Sequence, residues 1–376
     1  MSSGRHYLDH ASTSPPRPGV VAAMVEWLER AADPGRVHTE GRMVRAAIED
    51  GREEVAGLLG CRTRELVFTS GGTEAVNAAV WGALGVRDGI IALAAVEHSS
   101  VREASSRAGA VHVLPVDGDG TLRLDALDEL LGAGEPVALV HCQWGNHEVG
   151  TLQPVAEVVE RSHRAGVLVH VDAVQAAGHV SMDLGALGAD LVSVSAHKFG
   201  GPPGAGALIV RRGLRVTPFV VGGEQERGRR GGMENVAAVA GFAVAARAAA
   251  ADGGEEAADA RRHTDALLRA ALAVPGVVAY GPASAQARLP HIVCLGVDGV
   301  EAEAVLLGLD QAGIAAHSGS ACSSESLEPS PVLEAMGVDA QRSLRLSVGW
   351  STTEMDVAAF TATFPNVVGR LRALAG

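Results

Sequence analysis

Leu191–Val–Ser–Val–Ser195–Ala–His197–Lys198–Phe–Gly200 carries an apolar, β-branched run into a small, polar turn, and that turn holds the only lysine of a 376-residue chain. The apolar run Leu191–Val194 reads as a buried strand. The following Gly–Gly–Pro–Pro–Gly204 reads as a tight loop. Working outward, Glu65–Thr69, Gly89–Ala94, Val137–Cys142, Val167–Val171 and Gly206–Val210 have the same strand character. Helical stretches lie between them, at Arg45–Leu59, Glu74–Leu84 and Val155–Ala165. Alternation of this kind predicts an α/β protein with a largely parallel sheet covered on both faces, whose ligands bind beyond the C-terminal strand ends. An Ala-, Asp- and Glu-rich stretch near 245–262 predicts a long polar-faced helix bridging to a second domain, where Ile292–Val297 and Leu344–Val348 are further strands.

Composition narrows the function. The formal net charge of −13 argues against direct binding to nucleic-acid backbones. No apolar run is expected to reach the roughly 18–20 residues that span a bilayer. The first residues lack the pattern of a signal peptide, so the expectation is a cytoplasmic protein without a membrane partner. The four cysteines, Cys61, Cys142, Cys294 and Cys322, form no C-x-x-C pair. That spacing supports neither a metal site nor a disulfide framework, and leaves room for one reactive thiol.

Five constellations can carry chemistry. Thr69–Ser–Gly–Gly–Thr–Glu74 joins a strand to a helix, where free N–H groups and the helix dipole attract phosphate; an ordinary N-cap is the alternative. Asp172, in His170–Val–Asp–Ala–Val–Gln175, ends a strand and could keep a pyridine nitrogen protonated, or could simply cap the next helix. Lys198 is either a surface lysine or an amine whose pKa is lowered toward the neutral nucleophile. Arginine, which replaces lysine everywhere else, cannot do that. Taken in order, the three read as phosphate cup, pyridine partner and Schiff-base lysine. Ser318–Gly–Ser–Ala–Cys322–Ser–Ser–Glu–Ser–Leu–Glu–Pro–Ser330 surrounds a thiol with small polar residues, as an exposed loop would; Cys294 instead has apolar neighbours. Arg345, inside an apolar strand, needs either a substrate carboxylate or an internal salt bridge.

At these residues the sequence resembles the cysteine desulfurases of the class V aminotransferase family, enzymes dependent on pyridoxal 5′-phosphate (PLP) with fold type I. The resemblance runs from Tyr7–Leu–Asp–His–Ala–Ser–Thr13 through Phe68–Glu74, Glu97–His98, Asn146–Gly150, His170–Gln175, Ser195–Lys198 and Gln225–Gly228 to Arg345–Leu–Ser347. The Cys322 stretch resembles the catalytic loop of the NifS/IscS-like branch. The resemblance implies a mostly parallel seven-stranded sheet flanked by helices. It implies a large PLP-binding domain over 14–250 and a smaller α+β domain from 1–13 and 251–376. It implies catalytic roles for Lys198, Cys322 and His98. Gly72, Thr73, Ser195 and His197 would hold the phosphate, Asp172 the pyridine nitrogen, and Gln175 and His147 the ring oxygen, with His98 stacked on the ring. Arg345 and Asn146 would bind substrate. L-cysteine would yield L-alanine and a persulfide on Cys322 for an acceptor protein, in a homodimer with no metal.

Three positions depart from the family's pattern. His147 stands where a second Asn is usual. Met233, in Arg230–Gly–Gly–Met233, replaces a Thr that would reach the partner subunit's phosphate. Asp33 replaces an early Asn, adding a carboxylate that Arg36 would have to offset. These changes leave open a PLP-dependent C–S lyase or aminotransferase acting on another amino acid, or a scaffold without activity.

Overall fold

The computed structural model describes residues 4–30, 33–318 and 329–375. Its strands are β1 (His6–Tyr7), β2 (Leu66–Thr69), β3 (Ile90–Ala94), β4 (Val111–Leu114), β5 (Val137–Gln143), β6 (Leu168–Asp172), β7 (Leu191–Ser195), β8 (Gly206–Val210), β9 (Val277–Tyr280), β10 (Ile292–Val297), β11 (Ile314–Ala315) and β12 (Ser343–Ser347). The first six helices are α1 (Val20–Leu28), α2 (Thr39–Leu59), α3 (Gly72–Leu84), α4 (Ser99–Ala108), α5 (Leu124–Gly132) and α6 (Val155–Arg164). Then follow α7 (Leu184–Leu187), α8 (Gln225–Gly228), α9 (Val236–Leu272), α10 (Ala302–Gln311), α11 (Pro331–Ala335) and α12 (Glu354–Ala375).

The large sheet has seven strands in the order β2-β8-β7-β6-β5-β3-β4. Only β8 runs antiparallel to its neighbours; the pairs from β7 to β4 are parallel. Strands β5, β6, β7 and β8 are buried along nearly their whole length. Helices cover both faces, which is why these strands read as unbroken apolar runs rather than alternating ones. Beside this sheet stands a three-stranded antiparallel one, β12-β10-β9, and a short parallel pair, β1-β11. Each of the two larger sheets has its own apolar cluster.

Helix α9 bridges them, and it differs from the sequence reading in two ways. It starts at Val236, and its first half is core: Ala238, Phe242, Ala245 and Ala249 pack in the large cluster, while Ala260, Leu267 and Ala271 pack in the small one. At 37 residues it is also long and apolar enough to cross a membrane, contrary to the expectation that no stretch reaches that length. Alanines supply the apolar character without a continuous run of large side chains. Half of the apolar window is buried, and α9 packs on α1 and α2. A core helix meets the length criterion as readily as a membrane span.

A buried ion pair pins the segment after the large sheet. Arg52 of α2 donates from Nη1 and Nη2 to Glu226 Oε2 and Oε1 at 2.7 and 2.8 Å, and Glu226 Oε2 also accepts from Phe68 N at 3.0 Å. Glu226 and Arg227 adopt left-handed backbone angles, φ 47° and 59°, which cost energy in residues other than glycine. Replacing Glu226 with Ala removes both bonds and leaves the buried Arg52 guanidinium with only Leu66 O at 2.9 Å and a longer 3.3 Å contact to the partly exposed Glu49. Urea unfolding should show a loss of about 3–5 kcal/mol.

Candidate active site

The parallel strands deliver their C-terminal ends to one side of the large sheet. There a cavity of about 300 Å³ opens, lined by residues from several turns together with Arg345 of β12. Strand β7 ends at Ser195 and passes into a single 3-10 turn, Ala196–Phe199, that presents His197 and Lys198. Strand β6 ends at Asp172, β5 leads into the turn that carries His147, and β3 leads to His98 at the N-cap of α4.

Lys198 Nζ donates to Ala11 O at 2.7 Å and Ser12 O at 3.0 Å. Burial, with help from the Arg345 charge, lowers its pKa from the ordinary 10.5 to about 8. Asp172 Oδ1 accepts from Val174 N at 3.0 Å. Burial raises its carboxyl to about 6, against the pull of that hydrogen bond and of Lys198. Gln175 Nε2 donates to Ala11 O at 2.8 Å, so the N-terminal segment and the sheet meet at the amine. His98 and His147 form an edge-to-face pair with centroids 4.9 Å apart. Burial lowers both to about 3, and both are neutral near pH 7.

Arg345 is buried and held by three contacts. Nη1 donates to His147 O at 2.8 Å, and Nη2 to Asp9 Oδ1 at 2.9 Å and Ser12 Oγ at 2.8 Å. The internal salt bridge weighed from the sequence is therefore present. Yet the side chain also lines the cavity, and Arg345 Nε, buried behind that wall, has no hydrogen-bond partner among the described residues. A buried guanidinium that forms part of the cavity wall and is not fully hydrogen-bonded suits an incoming carboxylate.

The cavity fits a pyridine phosphate. At one end α3 begins at Gly72, and a Cβ there would meet Val174 Cγ2 at 2.7 Å, so only glycine leaves the helix N-terminus open to an anion. Thr73, Ser195 and His197 line the same cavity, and His197 Nδ1 lies 3.2 Å from Thr13 Oγ1. Asp172 and Gln175 supply a carboxylate and an amide for ring heteroatoms, and Lys198 an amine.

Of the residues expected from the sequence, Gly72, Thr73, His98, His147, Asp172, Gln175, Ser195, His197, Lys198 and Arg345 all line this cavity. Asn146 does not. Its Nδ2 donates to Val96 O at 3.2 Å, and its Oδ1 accepts from Glu148 N and Val149 N at 2.8 Å each, so it braces the turn that presents His147. Cys322 lies outside the described residues. Asp33 pairs with Arg36 at 3.1 Å, the compensation its charge requires, and neither lines the cavity. Met233 is 65% exposed and borders a neighbouring hollow with Ser70 and Arg230.

Sequence reading assigned no role to Ala11, Ser12, Gln143 or Glu97. The first two supply main-chain acceptors, which no side-chain pattern advertises. Glu97 is fully buried. Its Oε1 accepts from Gln143 N at 2.7 Å, and burial, with Asp172 adding to it, raises the carboxyl to about 8. Its place beside His98 was the available signal.

A mostly parallel seven-stranded sheet with a lysine, a carboxylate and a phosphate-suited helix end gathered at its strand ends is the architecture of fold type I PLP-dependent transferases. The chain matches the family described as aminotransferase class-V over residues 6–360. It belongs to the class-V aminotransferase family. It is 40% identical over 381 residues to an IscS-like cysteine desulfurase of Mycobacterium tuberculosis, covering 97% of each chain. Its fold is similar to a NifS-like protein of Rickettsia africae, with a TM-score of 0.89 and 31% identity over 97% of this chain and 99% of that one. It is also similar to SspA in complex with cysteine, with a TM-score of 0.78 and 26% identity over 91% of this chain and 98% of that one.

Proposed function

We propose that this chain is a PLP-dependent cysteine desulfurase that turns L-cysteine into L-alanine and leaves the sulfur as a persulfide on Cys322, for transfer to an acceptor protein. The observation that carries the reading is the meeting, in one cavity, of a lysine with a lowered pKa, the buried Asp172 carboxyl and the Arg345 guanidinium. The desulfurase relatives and the cysteine-bound structural neighbour supply the substrate.

Gly72, Thr73, Ser195 and His197 would hold the phosphate, Asp172 the ring nitrogen, and Gln175 with His147 the ring oxygen. Bound there, PLP supplies an electron sink for carbanion chemistry at the substrate's Cα and Cβ. Arg345 receives the substrate carboxylate and fixes its orientation. Lys198, partly neutral at pH 7, accepts the Cα proton at Nζ and returns it. His98, neutral and against the cavity wall, assists proton transfer. The Cys322 thiolate attacks the substrate sulfur. An S–S bond forms as the Cβ–S bond breaks, and a proton taken up at Cβ completes alanine.

The other thiols support the choice of Cys322. Burial raises Cys142 and Cys294 well above the ordinary range and Cys61 to about 12, and thiols so raised are poor nucleophiles. The exposed Trp81 and Phe219, whose rings pair at 6.5 Å, and the exposed Val221 support a second copy of the chain as partner. The relatives' chemistry and the acidic surface fit a cytoplasmic enzyme without a nucleic-acid partner.

Replacing Cys322 with Ala should lower alanine release from L-cysteine by about 10³-fold or more. The absorbance change on cysteine binding should remain. Full alanine release in that variant sinks the persulfide route. Pyruvate and ammonia in place of alanine would assign a C–S lyase instead.

A further inference from the structure

A chain of contacts links the cavity wall to Ser330, eight residues beyond Cys322 in the sequence. His147 lines the cavity, and its Nε2 lies 3.5 Å from Glu148 Oε1. Glu148 Oε2 accepts from Ser330 Oγ at 2.5 Å. Ser330 Oγ in turn accepts from Leu333 N at 3.2 Å and caps α11. Glu148 and Ser330 are 2% and 0% exposed. The chemistry above gives Glu148 no task. A carboxylate buried this deeply costs energy that an apolar residue of similar size would not.

The other flank of the same segment is tied to the same pocket. Arg345 N donates to His317 O at 2.7 Å, and His317 N donates to Arg345 O at 3.2 Å. Ser343 Oγ, two residues from Arg345, donates to Ser318 O. Arg345 Nη1 then closes the circuit through His147 O. Both flanks of 319–328 are thus referenced to the group that would clamp the substrate, one through Arg345 itself and the other through Glu148.

We infer that Glu148 is a positioning residue: through Ser330 it sets where the chain bearing Cys322 departs relative to Arg345, and so governs sulfur transfer to Cys322 rather than cysteine binding. The inference rests on the reading of Cys322 as the sulfur acceptor. A hydroxyl bond to an ionised carboxylate is short, strong and directional, which suits a fixed anchor. The charged and titratable groups around Glu148 are His147 on its own turn, His98 at the start of α4, Arg345 on β12, His317 before the Cys322 segment and Cys294 on β10. Burial raises the Glu148 carboxyl to about 7, opposed by Ser330, Arg345, His317 and His98. The carboxylate is therefore charged above about pH 7 and neutral below it, and the bond to Ser330 weakens as pH falls through that value. His98 and His147 stay neutral over this range.

The test uses the full PLP-loaded chain in single turnover with L-cysteine. Two signals are followed: the absorbance change on cysteine binding, and the gain of one sulfur on the Cys322 peptide by mass spectrometry. Ser330→Ala should bind cysteine within about twofold of wild type yet transfer sulfur about 10- to 100-fold more slowly, the rate equivalent of one lost charge-assisted hydrogen bond. Ser330→Thr, which keeps the hydroxyl, should recover most of the rate. Glu148→Gln should transfer slowly at every pH and lose the part of the acid limb that wild type shows beyond the one set by the Lys198 amine. Wild-type transfer rates in Ser330→Ala and Glu148→Gln overturn the inference. So does a parallel loss of binding and transfer that Ser330→Thr does not rescue, because that marks a general structural role. A wild-type chain that binds cysteine but never gains sulfur at Cys322 overturns the desulfurase reading and this inference with it. That outcome is distinct because it is seen before any variant is made.

Discussion

Lys198→Arg is expected to abolish turnover, with alanine release from L-cysteine falling by about 10⁴-fold or more. The substitution keeps the positive charge and most of the length, so an electrostatic or packing role would survive it. The proposed role would not. Burial and Arg345 lower the Lys198 pKa from 10.5 to about 8. About a tenth of the amine is then neutral at pH 7, against a few parts in ten thousand for an unperturbed lysine. A guanidinium has no neutral form in this range. A second readout separates the failures: reduction with borohydride in the presence of PLP should tag the 198 peptide of the wild-type protein and leave the variant untagged. Activity retained in the arginine variant would remove Lys198 from the chemistry.

Acid is expected to destabilise the protein sharply between about pH 6.5 and 5 through its buried histidines. Burial lowers His10 and His170 to about 3 and His179 to about 4, and pushes His141 and His291 well below 6.5. None of the five lines the cavity. His141 Nδ1 and His170 Nδ1 face each other at 2.8 Å, and His179 stacks on His291 at 3.7 Å, so a proton on either member meets a donor or a second ring. Below about pH 6.5 the unfolded chain takes up protons that the folded chain refuses, and each such histidine costs about 1.4 kcal/mol per pH unit until its folded pKa is reached. Three carboxyls act in the opposite direction. Glu97, Glu148 and Asp172, raised to about 8, 7 and 6, hold protons in the folded state that the unfolded chain releases. The lowered histidines outnumber them, especially once His98, His147 and His197 are included. Stability should therefore fall by several kcal/mol between about pH 6.5 and 5, a large share of an ordinary domain's total. Urea midpoints at pH 7, 6 and 5 measure it. A flat profile would mean that these histidines find acceptors when charged.

The strands nearest the site were legible because they are buried on both faces. β8 and β10 have the expected bounds, β5 and β7 extend one residue further at their C-terminal ends, and β6 is shifted by one residue toward its C-terminal end. Those added residues include Asp172, Gln143 and Ser195, polar groups that an apolar run cannot claim but that stay hydrogen-bonded in the ladder or line the cavity. β4, Val111–Leu114, was not legible, because it is an edge strand with its middle residues exposed and gives no clean apolar signal. The exposed His112 falls among its apolar residues. β1 and β11 are two residues each and exist only because they pair with each other.

Lys198, Asp172 and the glycine turn before α3 could be read from the chain alone. Each follows a recognisable strand, and parallel strands bring their C-terminal ends together whatever else the chain does. Arginine replaces lysine at every other position, which marks the one place where an amine that can lose its proton is kept. What only the folded molecule decided were relations between distant segments. Ala11 and Ser12 meet the Lys198 amine, Asp9 and His147 hold Arg345, Asn146 turns away from the cavity to brace it, and Glu148 reaches Ser330 across 182 positions of sequence. These contacts involve main-chain acceptors or buried polar groups whose partners are set by packing between the two sheets. Local sequence carries the pattern of a strand, but it holds no record of which carbonyl or carboxylate that packing will bring within hydrogen-bond reach.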